Sequence, residues 1–267
     1  MLSQSELREA LDVASLAASE AADVLRKYWK QLSSVSSKTY PGDLVSEADK
    51  EAEEVAIACL HRHFPTYAIL AEESGLREGK DHDFQWVIDP LDGTCNYVHS
   101  FPIYACSIAL CYKRKPILGV IEDPQHDRIF YAAKGLGARC NGSLIQVSKA
   151  KNLSDALLLT GFARNHPEQM EYSCVESSKM LQVGHGIRHI GSAVMSLAYI
   201  ANGMADVFWH RGLQPWDFAA GAVIIEEAGG RVSDLDGKDI TLDSLSVFAT
   251  NGCFHESVLE TIRHCCC

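Results

Sequence analysis

The sequence predicts a layered α/β protein, and three observations lead to this fold class. Apolar residues recur at helical spacing in two long N-terminal segments. Three β-branched-rich runs follow across short polar turns, which is typical of an antiparallel meander. Beyond about residue 148, short strand patterns alternate with helical ones. We therefore predict an N-terminal half, residues 1–147, with long helices and an antiparallel sheet, and a C-terminal α/β half, residues 148–267, packed against it as one body.

The N-terminal half opens with two predicted helices. The first covers residues 5 to about 31, because apolar residues recur on one face and nothing interrupts them. Residues 33–42 are polar and end in a Pro-Gly pair, which predicts a loop or two short strands with a turn. The second helix covers residues 47 to about 62, and Ser46 and Asp49 have the spacing of a capping box.

The remaining elements follow in chain order. Between residues 104 and 139, three apolar runs separated by two polar turns predict an antiparallel meander. After residue 148, the predicted strands are residues 156–160, 205–209 and 247–250. The predicted helices are residues 168–181, 192–201, 217–228 and 255–264.

Charge limits the partners that this protein can bind. The formal net charge of −11, from 24 basic and 35 acidic residues, predicts no general affinity for nucleic acid or for an anionic membrane. An acidic protein can still bind phosphate when some carboxylates hold divalent cations, because the cations reverse the local field. The sequence shows no apolar run long enough for a signal-peptide core or a membrane span, so we expect a cytoplasmic protein.

The ten cysteines predict neither a disulfide scaffold nor a zinc site. They are too sparse for the former, and no CxxC pair has the spacing of the latter. We expect reduced thiols, mostly in the core. The terminal run from His264 to Cys267 could bind a soft metal, but a frayed terminus is the favoured interpretation and we assign it no role.

Residues 86–97 carry the strongest chemical signal. An apolar strand leads into Asp89 and Asp92, and Gly93 and Thr94 follow where a helix could begin. The two carboxylates can converge on hard cations, and Gly93 lets backbone N–H groups approach a phosphate at a helix N-terminus. Alone, this motif fits an Asx-type turn as well as it fits a metal site.

Two further acidic signals have ordinary structural interpretations beside the functional one. Glu72 and Glu73 follow an apolar run, and paired glutamates usually form a solvated face. Asp217 begins an apolar helix, where an acid can simply complement the helix dipole. However, an acid directly after a buried strand needs a compensating partner, because a desolvated charge is costly.

These motifs resemble those of the inositol monophosphatase family, within the larger group of lithium-sensitive phosphatases. Four separated motifs match in order over nearly the whole chain: residues 43–49, residues 72–74, residues 89–96 with 101–102, and residues 216–221 with 227–230. The resemblance implies a five-layer αβαβα sandwich of the inositol monophosphatase and fructose-1,6-bisphosphatase type. It also implies a homodimeric, Mg²⁺-dependent and lithium-sensitive enzyme that hydrolyses a small phosphate monoester.

The resemblance also assigns the metal ligands, for two or three Mg²⁺ ions per site. Glu72, Asp89 and the Leu91 carbonyl are implied for one ion. Asp89, Asp92 and Asp217 are implied for a second, so Asp89 bridges. Most of these ligands belong to the N-terminal half, and Asp217 completes the site from the C-terminal half.

Catalytic and substrate-binding roles come from the same resemblance. Asp49 and Thr94 match the pair that positions and deprotonates the attacking water, with Glu72 beside them. Lys38 and Glu73 match nearby positions, although a generic exposed lysine or glutamate explains them nearly as well. The implied substrate-binding residues are Leu91, Asp92, Gly93, Thr94, Gly191, Ser192, Ala193, His210 and Asp217.

His210 departs from the family pattern, and this leaves the substrate open. The inositol-selective members have a glutamate there that hydrogen-bonds ring hydroxyls. Inositol 1-phosphate is the first candidate, with histidinol phosphate, a sugar phosphate and fructose 1,6-bisphosphate as alternatives. If His210 and Arg211 face the substrate, we expect them to favour a second acceptor or anionic group. A regulatory protein-binding role on the same fold is the alternative from another functional class.

Overall fold

The computed structural model describes residues 2–40, 42–163 and 166–263. Pro41 of the predicted turn and the His264–Cys267 run lie outside these described residues. The described chain forms seven α-helices: α1 Gln4–Tyr28, α2 Glu47–His63, α3 Thr94–Val98, α4 Pro167–Met180, α5 Ala193–Ala201, α6 Pro215–Glu227 and α7 His255–Arg263. No helix of the described chain combines the length and the apolar character needed to cross a membrane.

The strands of the described ranges form three sheets. The first six in the chain are β1 Val35–Ser37, β2 Leu44–Ser46, β3 Tyr67–Ala71, β4 Gly75–Arg77, β5 Asp81–Asp92 and β6 Ala105–Tyr112. The next four are β7 Lys115–Asp123, β8 Arg128–Ala133, β9 Ala138–Cys140 and β10 Ser143–Leu144. The last five are β11 Leu158–Thr160, β12 Ile187–Arg188, β13 Val207–Arg211, β14 Arg231–Ser233 and β15 Ser246–Thr250.

The two large sheets each use one part of the chain. The eight-stranded sheet has the order β10-β9-β8-β7-β6-β5-β3-β4, and its only parallel pair is β3 with β5. The five-stranded sheet has the order β12-β11-β13-β15-β14. β1 and β2 form a separate antiparallel pair. β1 lies within the polar segment of residues 33–42, where a loop or two short strands were expected, whereas β2 follows that segment. We keep the division at residues 147 and 148 as a proposal.

Five layers of helices and sheets build the molecule, so the expected αβαβα sandwich is confirmed. Helices α1 and α2 pack on the outer face of the eight-stranded sheet. Helices α5 and α6 lie between the two sheets, and α4 and α7 cover the far face of the five-stranded sheet. The strand and helix faces that carry the apolar periodicity therefore form three cores between successive layers.

Close packing fixes α6 against the eight-stranded sheet. A Cβ atom on Gly119 of β7 would lie 2.3 Å from the backbone oxygen of Ala220 in α6. Only glycine permits this approach without moving the helix. Because Asp217 lies in the first turn of α6, this contact also sets the position of that carboxylate relative to the large sheet.

Two element boundaries differ from the predicted ones for identifiable reasons. α1 ends at Tyr28 instead of near residue 31, because Lys30 has a left-handed φ of 62° that an α-helix cannot continue through. β13 extends to Arg211 instead of ending near residue 209, because β15 continues to pair with it as far as Ser246. This extension places His210 and Arg211 within a sheet.

The cysteines of the described residues are free thiols, as expected, but most of them are not in the core. Seven free cysteines occur in the described ranges, and only Cys59, Cys106 and Cys111 are buried. Cys95, Cys174 and Cys253 are exposed. The expectation of mainly buried thiols is therefore wrong, because several cysteines occupy helix and turn positions outside the apolar faces.

Candidate active site

A bulge in β5 turns two carboxylates toward the same side of the sheet. Asp89 pairs with Ser107 and Asp92 with Ala105, so three steps along β5 match two along β6. In a regular strand, residues three apart face opposite sides. The extra residue of the bulge reverses the orientation of the residues that follow it. Leu91 therefore packs with Ile88 in the core beneath α1 and α2, whereas Asp92 contacts the start of α5.

The Asp89–Asp92 motif forms an Asx-type turn and also contributes to an acidic cluster. The Leu91 N–H group donates to Asp89 Oδ1 at 3.0 Å, which is an Asx-type contact. Asp89, Asp92 and Asp217 also offer carboxylate oxygens that all lie within 4.8 Å of one another. The turn and the acidic cluster therefore coexist, and the turn holds the first carboxylate in place.

Asp217 reaches this cluster from the first turn of α6. Its Oδ2 accepts a hydrogen bond of 2.7 Å from the Gln214 N–H group, which caps the helix and orients the side chain. Among the described residues, no Lys or Arg side chain forms a salt bridge with any of the three aspartates. Carboxylate oxygens are ligands that Mg²⁺ prefers, so these residues fit the implied metal.

Burial and mutual repulsion raise the pKa values of the three carboxyl groups. Burial is the main cause for Asp89, and the charges of Glu72, Asp92 and Asp217 add to it. Burial also raises the pKa of Asp92 to about 7, against opposing hydrogen bonds from Ser192 and Val194. The pKa of Asp217 lies well above its usual range for the same main reason. A cation would remove the cost of keeping these groups ionised.

Thr94 links the cluster to a buried aspartate on α2. The Thr94 hydroxyl lies 3.1 Å from Asp49 Oδ1 and 3.0 Å from the Leu91 carbonyl oxygen. Asp49 is fully buried, and the predicted capping box holds its other oxygen through the Ser46 N–H and hydroxyl groups. Burial raises the pKa of Asp49 against these hydrogen bonds. The two implied water-activating residues are therefore in contact.

Lys38 and the glutamate pair form a third part of the site. Lys38 Nζ lies 2.7 Å from Glu72 Oε1 and also binds Glu73 Oε1. The exposed fractions of the Lys38 and Glu73 side chains are 21% and 11%, so the interpretation as generic surface residues is wrong. Glu72 contributes to the raised pKa of Asp89, which places it beside the aspartate cluster.

Glu53 is a residue of this region that the sequence analysis missed. Its Oε2 accepts a 2.8 Å hydrogen bond from the Glu73 N–H group, and the residue is buried. Glu53 follows Asp49 by four residues on α2, so both lie on one helix face. That spacing was a usable signal, because a second acid on the buried face of a helix requires a partner.

Ser192 joins the N-terminus of α5 to the aspartate cluster. Its hydroxyl donates to Asp92 Oδ2, and the Val194 N–H group donates to the same oxygen at 3.1 Å. Gly93, with a left-handed φ of 85°, caps α3 on the facing side. Residues from the two parts of the chain therefore meet at Asp92.

A cavity of about 280 Å³ opens beside this cluster. Its lining includes Asp92, Gly191, Ser192, Ala193 and His210. His210 therefore lies where a substrate beside Asp92 would extend. The structure also places His189 in this lining, a residue that the sequence analysis did not identify because its position follows from the β11–β12 pairing.

Arg211 does not face this cavity, which corrects the expectation that it could act beside His210. Its guanidinium binds Glu176 of α4, with Nε 3.0 Å from Oε1. The side chain of Glu176 is completely buried, whereas that of Arg211 is 23% exposed. Successive residues of a strand face opposite sides, so His210 and Arg211 cannot both point into one cavity.

We expect Arg211→Met to destabilise the fold without changing the chemistry of the site. Removing Arg211 leaves the buried Glu176 charge without this ion pair, at a cost of about 2 kcal/mol, below that of a fully buried pair. The free energy of unfolding in urea measures the effect. Arg188→Met, which alters an exposed arginine of the same sheet, is the control. Equal stability of the two variants would contradict this prediction.

Comparison with known proteins agrees with the fold and the acidic site. A profile of the inositol monophosphatase family matches residues 6–266. Inositol-1-monophosphatase of Synechocystis sp. is 38% identical over 98% of this chain and 91% of its own. The Nus factor SuhB of Pseudomonas aeruginosa is 38% identical over 95% of each chain. The solved structure of inositol monophosphatase from Anabaena (Nostoc) sp. has a TM-score of 0.88 at 39% identity, covering 97% of each chain.

The layered fold with an acidic centre between its two sheets defines a phosphatase that hydrolyses phosphate monoesters. This chain belongs to the inositol monophosphatase family.

Proposed function

We propose that this chain is a Mg²⁺-dependent phosphomonoesterase that acts on a small phosphorylated metabolite, with inositol 1-phosphate as the first candidate. The observation that carries the proposal is the convergence of Asp89, Asp92 and Asp217 within 4.8 Å beside an open cavity. A cluster of acids cannot attract a phosphate by itself. It can do so when bound cations neutralise the acids, and carboxylate oxygens are ligands that such cations prefer.

The proposed ligands divide into two overlapping groups. Glu72, Asp89 and the Leu91 carbonyl would hold one Mg²⁺, and Asp89, Asp92 and Asp217 a second. When bound, the cations would supply positive charge to the phosphate and acidify water. The family resemblance supports this division.

Asp49 and Thr94 are proposed to prepare the attacking water. With its hydroxyl hydrogen donated to Asp49 Oδ1, Thr94 keeps lone pairs that accept a hydrogen bond from water and fix its position. The water proton can then pass through the Thr94 hydroxyl to Asp49. Burial favours protonated Asp49, so this carboxylate is suited to receive a proton.

The proposed phosphate contacts are backbone N–H groups rather than basic side chains. Gly93 and Thr94 begin α3 directly after the aspartates, and a substituent on Gly93 would crowd the Ile103 carbonyl at 3.0 Å. Glycine therefore keeps this turn open to a phosphate oxygen. The alcohol part of the substrate would extend into the cavity toward Gly191, Ala193 and His210.

A panel of small monoesters tests the proposal directly. Purified protein with Mg²⁺ should release phosphate from inositol 1-phosphate, and Li⁺ at millimolar levels should inhibit the reaction, as the family resemblance implies. The panel includes histidinol phosphate, a sugar phosphate and fructose 1,6-bisphosphate, which are the alternative substrates. Release of no phosphate from any of them would refute the proposed function.

We expect Mg²⁺ to raise the melting temperature by roughly 5 to 10 °C when it is present at about 100 times its dissociation constant. Because the pKa of Asp89 is raised in the folded state, its ionised form destabilises the metal-free protein at neutral pH. Asp89→Asn should therefore raise the metal-free melting temperature and reduce the Mg²⁺-induced shift.

Differential scanning fluorimetry with and without Mg²⁺ measures both changes. Asp236→Asn, which alters an exposed aspartate, should leave the shift as it is in the wild type. A shift of the same size in Asp89→Asn and in the wild type would show that Asp89 does not contribute to metal binding.

A regulatory protein-binding role is the second candidate. The similarity to a protein called Nus factor SuhB favours it, because that relative is named as a factor rather than as a phosphatase. The same substrate panel separates the two candidates. A homodimer and a cytoplasmic location stay predictions from the sequence and the family resemblance, and light scattering at micromolar concentration tests the former.

A further inference from the structure

A cleft of about 500 Å³ lies between the start of α1 and the turn that joins β6 to β7. It is formed by side chains within residues 2–7, 112–117 and 134. On β6, Ala105 pairs with Asp92, whereas Tyr112 lines the cleft. The step from residue 105 to residue 112 along a strand corresponds to about 23 Å. The cleft is therefore separate from the aspartate cluster, and an inference drawn from it does not depend on the proposed function.

The floor of this cleft is apolar. Leu7 of α1 and Ile117 of β7 belong to the core beneath α1 and α2, and each is only 7% exposed. Leu2 and the ring of Tyr112 are partly buried and pack against the same core. The volume lies within the range of roughly 300 to 1,000 Å³ that is typical of small-molecule sites. An apolar group bound here would remove these side chains and its own surface from water.

The rim of the cleft has three lysines. Lys113 and Lys115 flank the turn between β6 and β7, and Lys134 follows β8. The remaining polar residue of the lining is Gln4, so no carboxylate lines the cleft within the described ranges. Acidic residues outnumber basic ones by 35 to 24 in the whole chain, and this lining has the opposite balance. The local charge therefore favours an anionic ligand.

The lysine ammonium groups are free to contact such a ligand. Lys134 forms no salt bridge with any residue of the described chain. Lys113 lies 3.7 Å from Asp83, and Lys115 lies 3.2 Å from Asp239. The side chains of these two aspartates are 50% and 86% exposed, and ion pairs that are this open to water contribute little stability. A bound anion can therefore replace the aspartates as the partner of either lysine.

We propose that this cleft binds a single-chain anionic amphiphile, with the apolar chain against the floor and the anionic head group among Lys113, Lys115 and Lys134. The Lys113 ammonium lies 5.3 Å from the centroid of the Tyr112 ring, so positive charge and apolar surface adjoin here. The head and chain of such a ligand adjoin in the same way. An inorganic anion would leave the floor uncovered, and a neutral chain would leave the lysines unused. A medium-chain carboxylate is the simplest ligand of this class.

Calorimetric titration of the wild-type protein tests both halves of the ligand. Decanoate, at concentrations below those at which it forms micelles, should bind about tenfold more tightly than octanoate, because it has two more methylenes to bury. Decyltrimethylammonium has the same chain length and a cationic head, and it should bind about tenfold more weakly than decanoate or not at all. Equal affinity for the two head groups, or for the two carboxylates, would overturn the proposal.

A pair of double variants tests the lysines. Lys113→Gln combined with Lys134→Gln should weaken decanoate binding about fivefold or more, because two cationic contacts are lost. Lys149→Gln combined with Lys151→Gln removes the same charge from two exposed lysines elsewhere and should leave the affinity unchanged. Equal affinities of the two double variants would contradict the assigned head-group site.

A matched pair of leucine variants on either side of the start of α1 tests the floor. Leu2→Glu places a carboxylate in the lining and should abolish measurable binding of decanoate. Leu16→Glu makes the same change at a position of α1 that is 46% exposed and should retain the wild-type affinity. Melting temperatures near that of the wild type verify that both variants are folded. Wild-type affinity in Leu2→Glu would overturn the proposal.

Two further measurements exclude other sites and other ligands. Asp217→Asn alters the aspartate cluster and should bind decanoate as the wild type does. A loss of binding in this variant would locate the amphiphile at the aspartate cluster and overturn the proposal. Sedimentation with phosphatidylglycerol vesicles, without any binding of free decanoate, would identify a membrane-contact surface and would overturn it as well.

Discussion

Asp217→Asn is expected to lower kcat/KM by about 10³-fold or more while leaving the fold intact. The substitution keeps the size of the side chain and removes one of three charges that lie within 4.8 Å of one another. A loss of this size corresponds to about 4 kcal/mol of transition-state stabilisation, a reasonable share for one ligand of a metal site. Phosphate release measures the loss, and circular dichroism verifies the fold.

Asp92→Asn should show a matching loss, although Asp92 lies on β5 and Asp217 on α6. Equal defects from two distant parts of the sequence would indicate that both residues serve one site. Glu226→Gln makes the same acid-to-amide change on an exposed residue at the other end of α6 and should retain full activity. Normal Mg²⁺-dependent turnover in either aspartate variant would refute the assigned ligands.

Asp49→Asn is expected to lower kcat by about 10²- to 10⁴-fold, the range that loss of a general base produces. An amide can still accept a hydrogen bond from Thr94 but cannot take up a proton. The change should affect kcat more than KM, because Asp49 contacts Thr94 and Ser46 rather than the cavity lining. Steady-state kinetics with the favoured monoester separates the two constants.

Glu54→Gln is the matched control for this prediction, since it makes the same change on an exposed position of α2. Its kinetics should equal those of the wild type. If Asp49→Asn changed only KM, the residue would have a binding role, and the proposed path for the proton would be wrong. The Mg²⁺-induced rise in melting temperature should persist in Asp49→Asn, because the aspartate cluster is unaltered.

Much of the fold could be predicted because local signals and packing agree. The capping box of Ser46 and Asp49 marks the start of α2 correctly, and it also fixes the orientation of Asp49 in the site. The antiparallel meander could be predicted because its strands alternate with clear turn residues. Strands of two or three residues, such as β12 and β14, were missed because their pairing depends on distant neighbours rather than on their own pattern.

The substrate side of the site was harder to predict for a physical reason. The extension of β13 depends on β15, and strand alternation then sends Arg211 to Glu176 instead of to the cavity. The protonated nitrogen of His210 is selected by a backbone carbonyl, which no side-chain pattern reveals. The acidic cluster was easier to predict, because a carboxylate can bind a cation whichever backbone group lies beside it.

The bulge in β5 makes its register with β6 a requirement of the acidic site. Without the bulge, Asp92 would pair one residue further along, with Tyr104 in place of Ala105, and would turn toward the face that α1 and α2 cover, away from Asp217. A change in β6 that removed the bulge would therefore separate the two carboxylates although every acidic residue is retained. The pairing strand is thus under the same functional constraint as the aspartates, although it contributes no acidic ligand itself.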